Sequence, residues 1–148
     1  MKVELNRVND AFHFQVKNER GYTIDLDKRA AQGGNDLGAS PMELLLMGVA
    51  GCSAIDMIAI LQKQRQNVTS YRTEVDGDRE KIGEASPFKK IHVTVFVEGD
   101  VVPAKALKAA QLSFEKYCSV SKTLEPTATV TYSVVVNNQP VIKTNSDE

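Results

Sequence analysis

Apolar and polar residues alternate along the first quarter of the chain. Val3 and Leu5, then Phe12 and Phe14, then Tyr22, Ile24 and Leu26 take every second position, the period of short strands. Asn9-Asp10 and Glu19-Arg20-Gly21 supply turn chemistry between them. The segment 28–39 (KRAAQGGNDLGA) contains Gly33, Gly34 and Gly38 and has no period, so it predicts a loop.

The pattern then changes to that of a helix. Ser40-Pro41-Met42-Glu43 places a serine at the N-cap, proline at the first helical position and glutamate three residues past the cap. This is a capping box with a proline starter. The helix is expected to run to about Gln66. From Leu44 to Ile55 its residues are apolar on every side, which predicts burial all round. Its end, Gln62 to Gln66, is polar and carries Lys63 and Arg65, charges that suit a helix C-terminus.

Strand periodicity returns with Tyr71, Thr73 and Val75, and continues with Ile91, Val93, Val95 and Val97, the turn between lying at Gly83 to Pro87. A second helix is predicted over roughly Pro103 to Tyr117, with Leu107, Ala110, Phe114 and Tyr117 on one stripe. Cys118 either ends this helix or begins a further short turn through Leu124. Ala128, Val130, Tyr132, Val134 and Val136 make a last strand, and the tail Lys143 to Glu148 reads as loose. Strict alternation favours antiparallel sheets with one wet face. The expected class is α+β in a single domain over 1–148, with sheets around one long helix. One small sheet cannot cover such a helix on all sides, so a second copy of the chain is expected to supply the rest.

Composition narrows the class. A chain of 148 residues, 42% of them hydrophobic, suits one core. Lys+Arg 18 against Asp+Glu 19 gives a net charge of −1, which excludes the broad basic field of a dedicated nucleic-acid binder. The start MKVELNRVND has no apolar core of a signal peptide. The longest apolar run stops at Asp56 after about twelve residues, against roughly 20 for a membrane span. A cytoplasmic chain with no membrane or nucleic-acid partner is expected. Two cysteines are too few for a disulfide scaffold, and in that compartment such a pair is reactive or simply buried.

Cys52 sits in the apolar helix beside Gly51, with Gly48 one turn earlier, where small residues leave room for a close neighbour or a substrate. A free cysteine there also reads as a small core hydrophobe. A thiolate at Cys52 would need a cation from elsewhere in the fold, because the helix dipole fades beyond the first turn. Glu43 is accounted for by the capping box. Gly33 to Gly38 precedes a helix but matches no phosphate-binding spacing, and Pro41 removes a donor. His13 and His92 stand apart without metal-ligand spacing and read as ordinary strand residues, so neither metal nor cofactor is expected.

Three segments carry a resemblance: SPMELL from Ser40, Gly51-Cys52-Ser53, and EKYCSVS from Glu115 to Ser121. With two cysteines 66 positions apart in these flanks, the chain resembles the OsmC/Ohr family of osmotically inducible and organic-hydroperoxide-resistance proteins. It is most similar to the OsmC-like branch in which SPMELLL and EKYCSVS recur. The resemblance implies an intertwined homodimer with two active sites. It also implies an attacking cysteine on the buried helix, by position Cys52, and a resolving cysteine, Cys118. Organic hydroperoxide would oxidise Cys52 to a sulfenic acid, Cys118 would condense with it, and a dithiol of lipoyl type would reduce the disulfide. The family's activating arginine precedes the helix, where Arg29 is the nearest candidate and Arg20 the next. The peroxidases carry a glutamate directly after the helix-starting proline; here that position is Met42. The competing readings are a non-catalytic or weakly redox-active dimer binding a small hydrophobic ligand in the interface pocket and, more distantly, a thioesterase of hot-dog type.

Overall fold

Three short strands open the chain: β1 (Val3–Arg7), β2 (Phe14–Asn18) and β3 (Thr23–Leu26), antiparallel in that order. They belong to the first of two compact units, Met1–Leu45, in a computed structural model described over residues 1–142. The expectation for Lys143–Glu148 lies outside the described residues. Phe12 and His13 fall before β2 rather than in it. The Asn9 side-chain oxygen accepts the N–H groups of Ala11 and His13, so this connection is a side-chain-closed turn. His13 is therefore not an ordinary strand residue; its Nε2 lies 2.8 Å from Asp25 Oδ1.

The glycine-rich loop is organised by its own carboxylate. Asp27, only 4% exposed, accepts backbone N–H groups from Lys28 at 2.7 Å and from Asn35 and Leu37 at 3.2 Å each. The amides that would cradle a phosphate are thus already occupied by an internal anion. A single turn of 3-10 helix, Ala30–Gln32, lies within the loop.

Helix α1 (Pro41–Lys63) begins as the capping box requires. Glu43 N–H donates to Ser40 Oγ at 3.2 Å, and Ser40 N–H donates to Glu43 Oε2 at 2.7 Å. It ends three residues before the expected Gln66. Arg65 takes φ of 57°, its N–H reaches the Gln62 carbonyl and Gln66 N–H reaches that of Leu61. This pair of bonds is a Schellman closure built on a non-glycine residue. Burial of α1 on the single chain is one stripe, Val49, Ser53, Met57 and Leu61. The expectation of burial all round is not met by one copy: Met47 is 55% and Ile55 74% exposed. In length and composition α1 also matches a membrane span, a test that the core helix of a soluble domain passes equally.

The second unit, from Leu46 onward, holds a four-stranded sheet in the order β4 (Asn67–Arg79), β5 (Phe88–Asp100), β6 (Thr129–Val136), β7 (Gln139–Val141). Ile91, Val93, Val95 and Val97 of β5 and Val134 and Val136 of β6 form its covered face. Gly77 of β4 lies beneath α1, since a Cβ there would stand 3.0 Å from the Leu46 side chain and 2.4 Å from the Phe88 ring. At Gly99, φ is 129° and a Cβ would meet the Asn67 carbonyl oxygen at 2.1 Å, beside the bulge between Val68 and Ser70.

Two expectations are corrected here. Sheets antiparallel throughout are not what forms: β5 and β6 pair in parallel, because a helical crossover joins them and returns the chain to the same end. The single helix to Tyr117 is broken as well. Helix α2 (Pro103–Leu112) passes into a π-helical turn, Ser113–Tyr117, then an extended Cys118 and helix α3 (Ser119–Leu124). The wider turn rotates Tyr117 off the apolar stripe, leaving it 49% exposed. Ala128 lies just before β6, and β7 was not anticipated. Its signal was Asn137-Asn138, both at positive φ, between two apolar runs.

The cap yields a pH-dependent prediction. Hydrogen bonds from the Ser40 amide and then its hydroxyl hold the Glu43 carboxyl below its ordinary value, with a smaller pull from Arg29. A depressed carboxyl contributes stability above its unfolded value near 4.5 and loses it as pH falls through the folded value. Glu43→Ala is expected to cost about 0.5–2 kcal/mol at neutral pH. Urea denaturation at a series of pH values should show the gap to wild type narrowing below pH 4.5.

Candidate active site

Cys52 lies on α1 next to the buried stripe, one residue before Ser53, and is half-buried. Ser53 fits the core because its hydroxyl donates back to the Val49 carbonyl at 2.8 Å. Gly51 has open space where a side chain would be, and Gly48 faces Val120 of α3, 3.5 Å from a Cβ built there. The small residues flanking Cys52 thus do two things: one leaves an opening, the other accommodates α3.

Cys118 sits in the break between the π-helical turn and α3, with φ −67° and ψ 98°. Its N–H donates to the Ser113 carbonyl at 2.7 Å, closing the wide turn, and its side chain is fully buried. Of the two positions allowed by the sequence, Cys118 takes the second, at the start of a further short helix. The Ser121 hydroxyl donates to Cys118 Sγ at 3.1 Å.

The break brings Cys118 to α1. Cys52 Sγ, Cys118 Sγ and a carboxylate oxygen of Asp56 all lie within 4.8 Å of one another. Asp56 is one turn after Cys52 and receives a hydrogen bond from Ser113 Oγ at 3.1 Å. Burial pushes the Cys118 thiol up; the Ser121 hydroxyl and backbone amide draw it down, and Cys52 adds to the upward push. An S–S bond is about 2.05 Å long, so a disulfide needs the two side chains to close less than about 3 Å. Two thiols so placed can exchange between dithiol and disulfide.

Arg29, Arg20 and Met42 belong to the N-terminal unit. Arg29 is exposed, its guanidinium 3.8 Å from the Glu43 carboxylate, and Arg20 lies over the Tyr22 ring at 5.2 Å. His92 of β5 is held by Thr131 Oγ1 at 2.8 Å and Ser133 Oγ at 3.1 Å, a strand residue as expected.

Residues 33–133, most of the chain, match the family model described as OsmC-like protein. The chain belongs to the OsmC family. It is 41% identical over 126 residues to protein YhfA of Escherichia coli (strain K12), covering 83% of this chain and 89% of that one. A protein of Aquifex aeolicus with a crystal structure is 30% identical, with a TM-score of 0.75 over 92% of this chain and 96% of that one. The organic hydroperoxide resistance protein OsmC of Legionella pneumophila shares the fold at 17% identity, with a TM-score of 0.68 over 90% of this chain and 96% of that one.

Within this OsmC fold, Cys52 and Cys118 are brought together, whereas Arg29 is paired with the cap glutamate. Asp56, Ser113 and Ser121 are site residues to which no sequence motif assigns a role. Asp56 carried a signal, as a charged residue breaking an apolar run one turn after a cysteine. Ser113 carried none, because the π-helical turn that aims it has no period of its own. Removing the Ser121 donor is expected to push the Cys118 thiol further up. In a Cys52→Ser background, thiolate absorbance of Ser121→Ala across a pH titration should rise at higher pH than with Ser121 present.

Proposed function

We propose that this OsmC-family protein is a thiol-dependent peroxidase that reduces organic hydroperoxides to alcohols. The observation that carries the reading is the pair of sulfurs within 4.8 Å, one half-open on a helix and one fully buried. The name of the Legionella relative, an organic hydroperoxide resistance protein, points the same way. In the first step the Cys52 thiolate attacks the outer peroxide oxygen; the O–O bond breaks, the alkoxide takes a proton and leaves as alcohol, and Cys52 becomes a sulfenic acid. In the second, Cys118 sulfur attacks Cys52 sulfur, and hydroxide leaves with the Cys118 proton as water. A dithiol, of lipoyl type by family resemblance, then returns the disulfide to two thiols by exchange.

Arg29 is, by the family resemblance, the proposed cation for the Cys52 thiolate; its guanidinium stands 3.8 Å from the Glu43 carboxylate. Residues 1–148 act as one domain, α1 running unbroken from one compact unit into the other. The working form is a cytoplasmic homodimer. Two uncovered apolar surfaces support it: Met47 and Ile55 on α1, and Leu5 and Ile24 flanking Val16 in one row of the first sheet. The alternative, a binding module for a small hydrophobic ligand, has one observation in its favour. A cleft of 490 Å³ opens beside the Phe114–Tyr132 stack, with Leu107, Val134 and Val141 in its lining together with the charged Glu115, Lys122 and Glu125.

An alkyl hydroperoxide separates the two readings. One equivalent should convert the reduced wild type to an intramolecular disulfide, measured by thiol titration and mass spectrometry. Cys118→Ser should leave a trappable sulfenic acid on Cys52, and Cys52→Ser should not react. Peroxide consumption by Cys52→Ser at the wild-type rate would overturn the assignment.

The dimer is tested by sedimentation at micromolar concentration, where a two-chain mass is expected. Ile55→Lys, a charge on the most exposed large apolar residue of α1, should shift the mass toward one chain.

A further inference from the structure

We propose that Cys52, Asp56 and Cys118 form a binding site for one thiophilic divalent cation of the zinc class. The site uses the two sulfurs of the redox reading but does not depend on peroxidase chemistry. Two sulfur ligands and one carboxylate oxygen already lie within 4.8 Å of one another. Around a tetrahedral zinc, sulfurs at about 2.3 Å stand roughly 3.8 Å apart, and a sulfur and a carboxylate oxygen roughly 3.5 Å apart. Closing the remaining distance takes at most about 1.0 Å for the two sulfurs and about 1.3 Å for each sulfur–oxygen pair, within the reach of side-chain rotation.

The donor set is what such an ion selects. Thiolates are soft ligands that favour zinc over magnesium or calcium, and one carboxylate completes a three-ligand face. Outer hydrogen bonds of the kind that orient metal ligands are present: Ser113 Oγ donates to Asp56 at 3.1 Å and Ser121 Oγ to Cys118 Sγ at 3.1 Å. Among the described residues Asp56 forms no ion pair, and the Ser113 hydroxyl is a side-chain hydrogen-bond donor to its carboxylate. Cys52 is half-buried, and a water reaching the ion from its exposed side would complete four-coordination. On binding, each thiol gives its proton to solvent and each sulfur donates a lone pair to the cation; no electron is transferred. Sequence spacing could not announce the site, since its ligands are split between two helical segments 66 positions apart.

The metal-bound and disulfide forms exclude each other, because both need the same two sulfurs. An occupied site therefore holds the pair reduced, and oxidation of the pair releases the ion.

The test uses fully reduced, chelator-treated protein and no peroxide, so it stands or falls separately from the peroxidase reading. Titration with Co²⁺ should saturate at one ion per chain, with tetrahedral d–d bands and sulfur-to-cobalt charge transfer, and Zn²⁺ should displace it. Cys118→Ser should reduce the charge-transfer intensity by about half, in proportion to the thiolates remaining. Asp56→Asn should keep the charge transfer but weaken binding at least tenfold. X-ray absorption of the zinc-loaded wild type, which needs no variant to fold, should count two sulfurs at about 2.3 Å with oxygen in the remaining positions. The proposal is overturned by a pale octahedral cobalt spectrum, by a zinc shell without sulfur or with four sulfurs, or by unchanged affinity in Asp56→Asn.

Discussion

Helix α1 is apolar around its circumference, yet one chain buries only the stripe Val49, Ser53, Met57, Leu61. Much of the remaining structure follows from that imbalance. The stripe takes the helix down onto the second sheet, where Leu46 comes over Gly77, a position with no room for a larger residue beside Phe88. Cys52 is placed at the boundary of the stripe, its neighbour Ser53 buried and Gly51 open. A thiol one position further round would be sealed in the core. On the far side it would lack the second sulfur.

The second constraint is the break between α2 and α3. A regular helix from Pro103 through Leu124 would carry Cys118 past α1 with its N–H committed to the carbonyl four residues back. The π-helical turn hands that N–H to Ser113 instead, widens the coil, and leaves Cys118 extended and buried. The same serine donates its hydroxyl to Asp56 on α1. Ser113 thus ties the two segments at the level where the sulfurs meet, with its carbonyl to one and its hydroxyl to the neighbour of the other. Inserted residues in helical ladders cost local hydrogen-bond geometry and persist where a site needs them.

The N-terminal unit shows the same economy with charge. Asp27 fills with its own carboxylate the ring of amides that a glycine-rich loop would otherwise present to an anion. Glu43, which resembles a catalytic carboxylate by its place near a helix start, is held by both bonds of the capping box. Both acids are explained by the backbone they satisfy.

Local signals were strong enough to read without a structure where one segment alone determined the outcome. The capping box of α1, the alternation of β5 and the turn at Glu19-Arg20-Gly21 depend on neighbours within a few residues, so periodicity, cap and turn residues suffice for them. The two cysteines were legible as a pair only through the resemblance of their flanks to the OsmC/Ohr family, since periodicity and spacing by themselves left each as an ordinary buried thiol. The parallel pairing of β5 with β6 was not, because alternation reports which face is covered and not the direction of the neighbour. Neither was the trio Cys52, Asp56 and Cys118. Its members come together only when a widened turn delivers one segment to another. That is a matter of how backbone hydrogen bonds are partitioned at Ser113, on which side-chain pattern is silent.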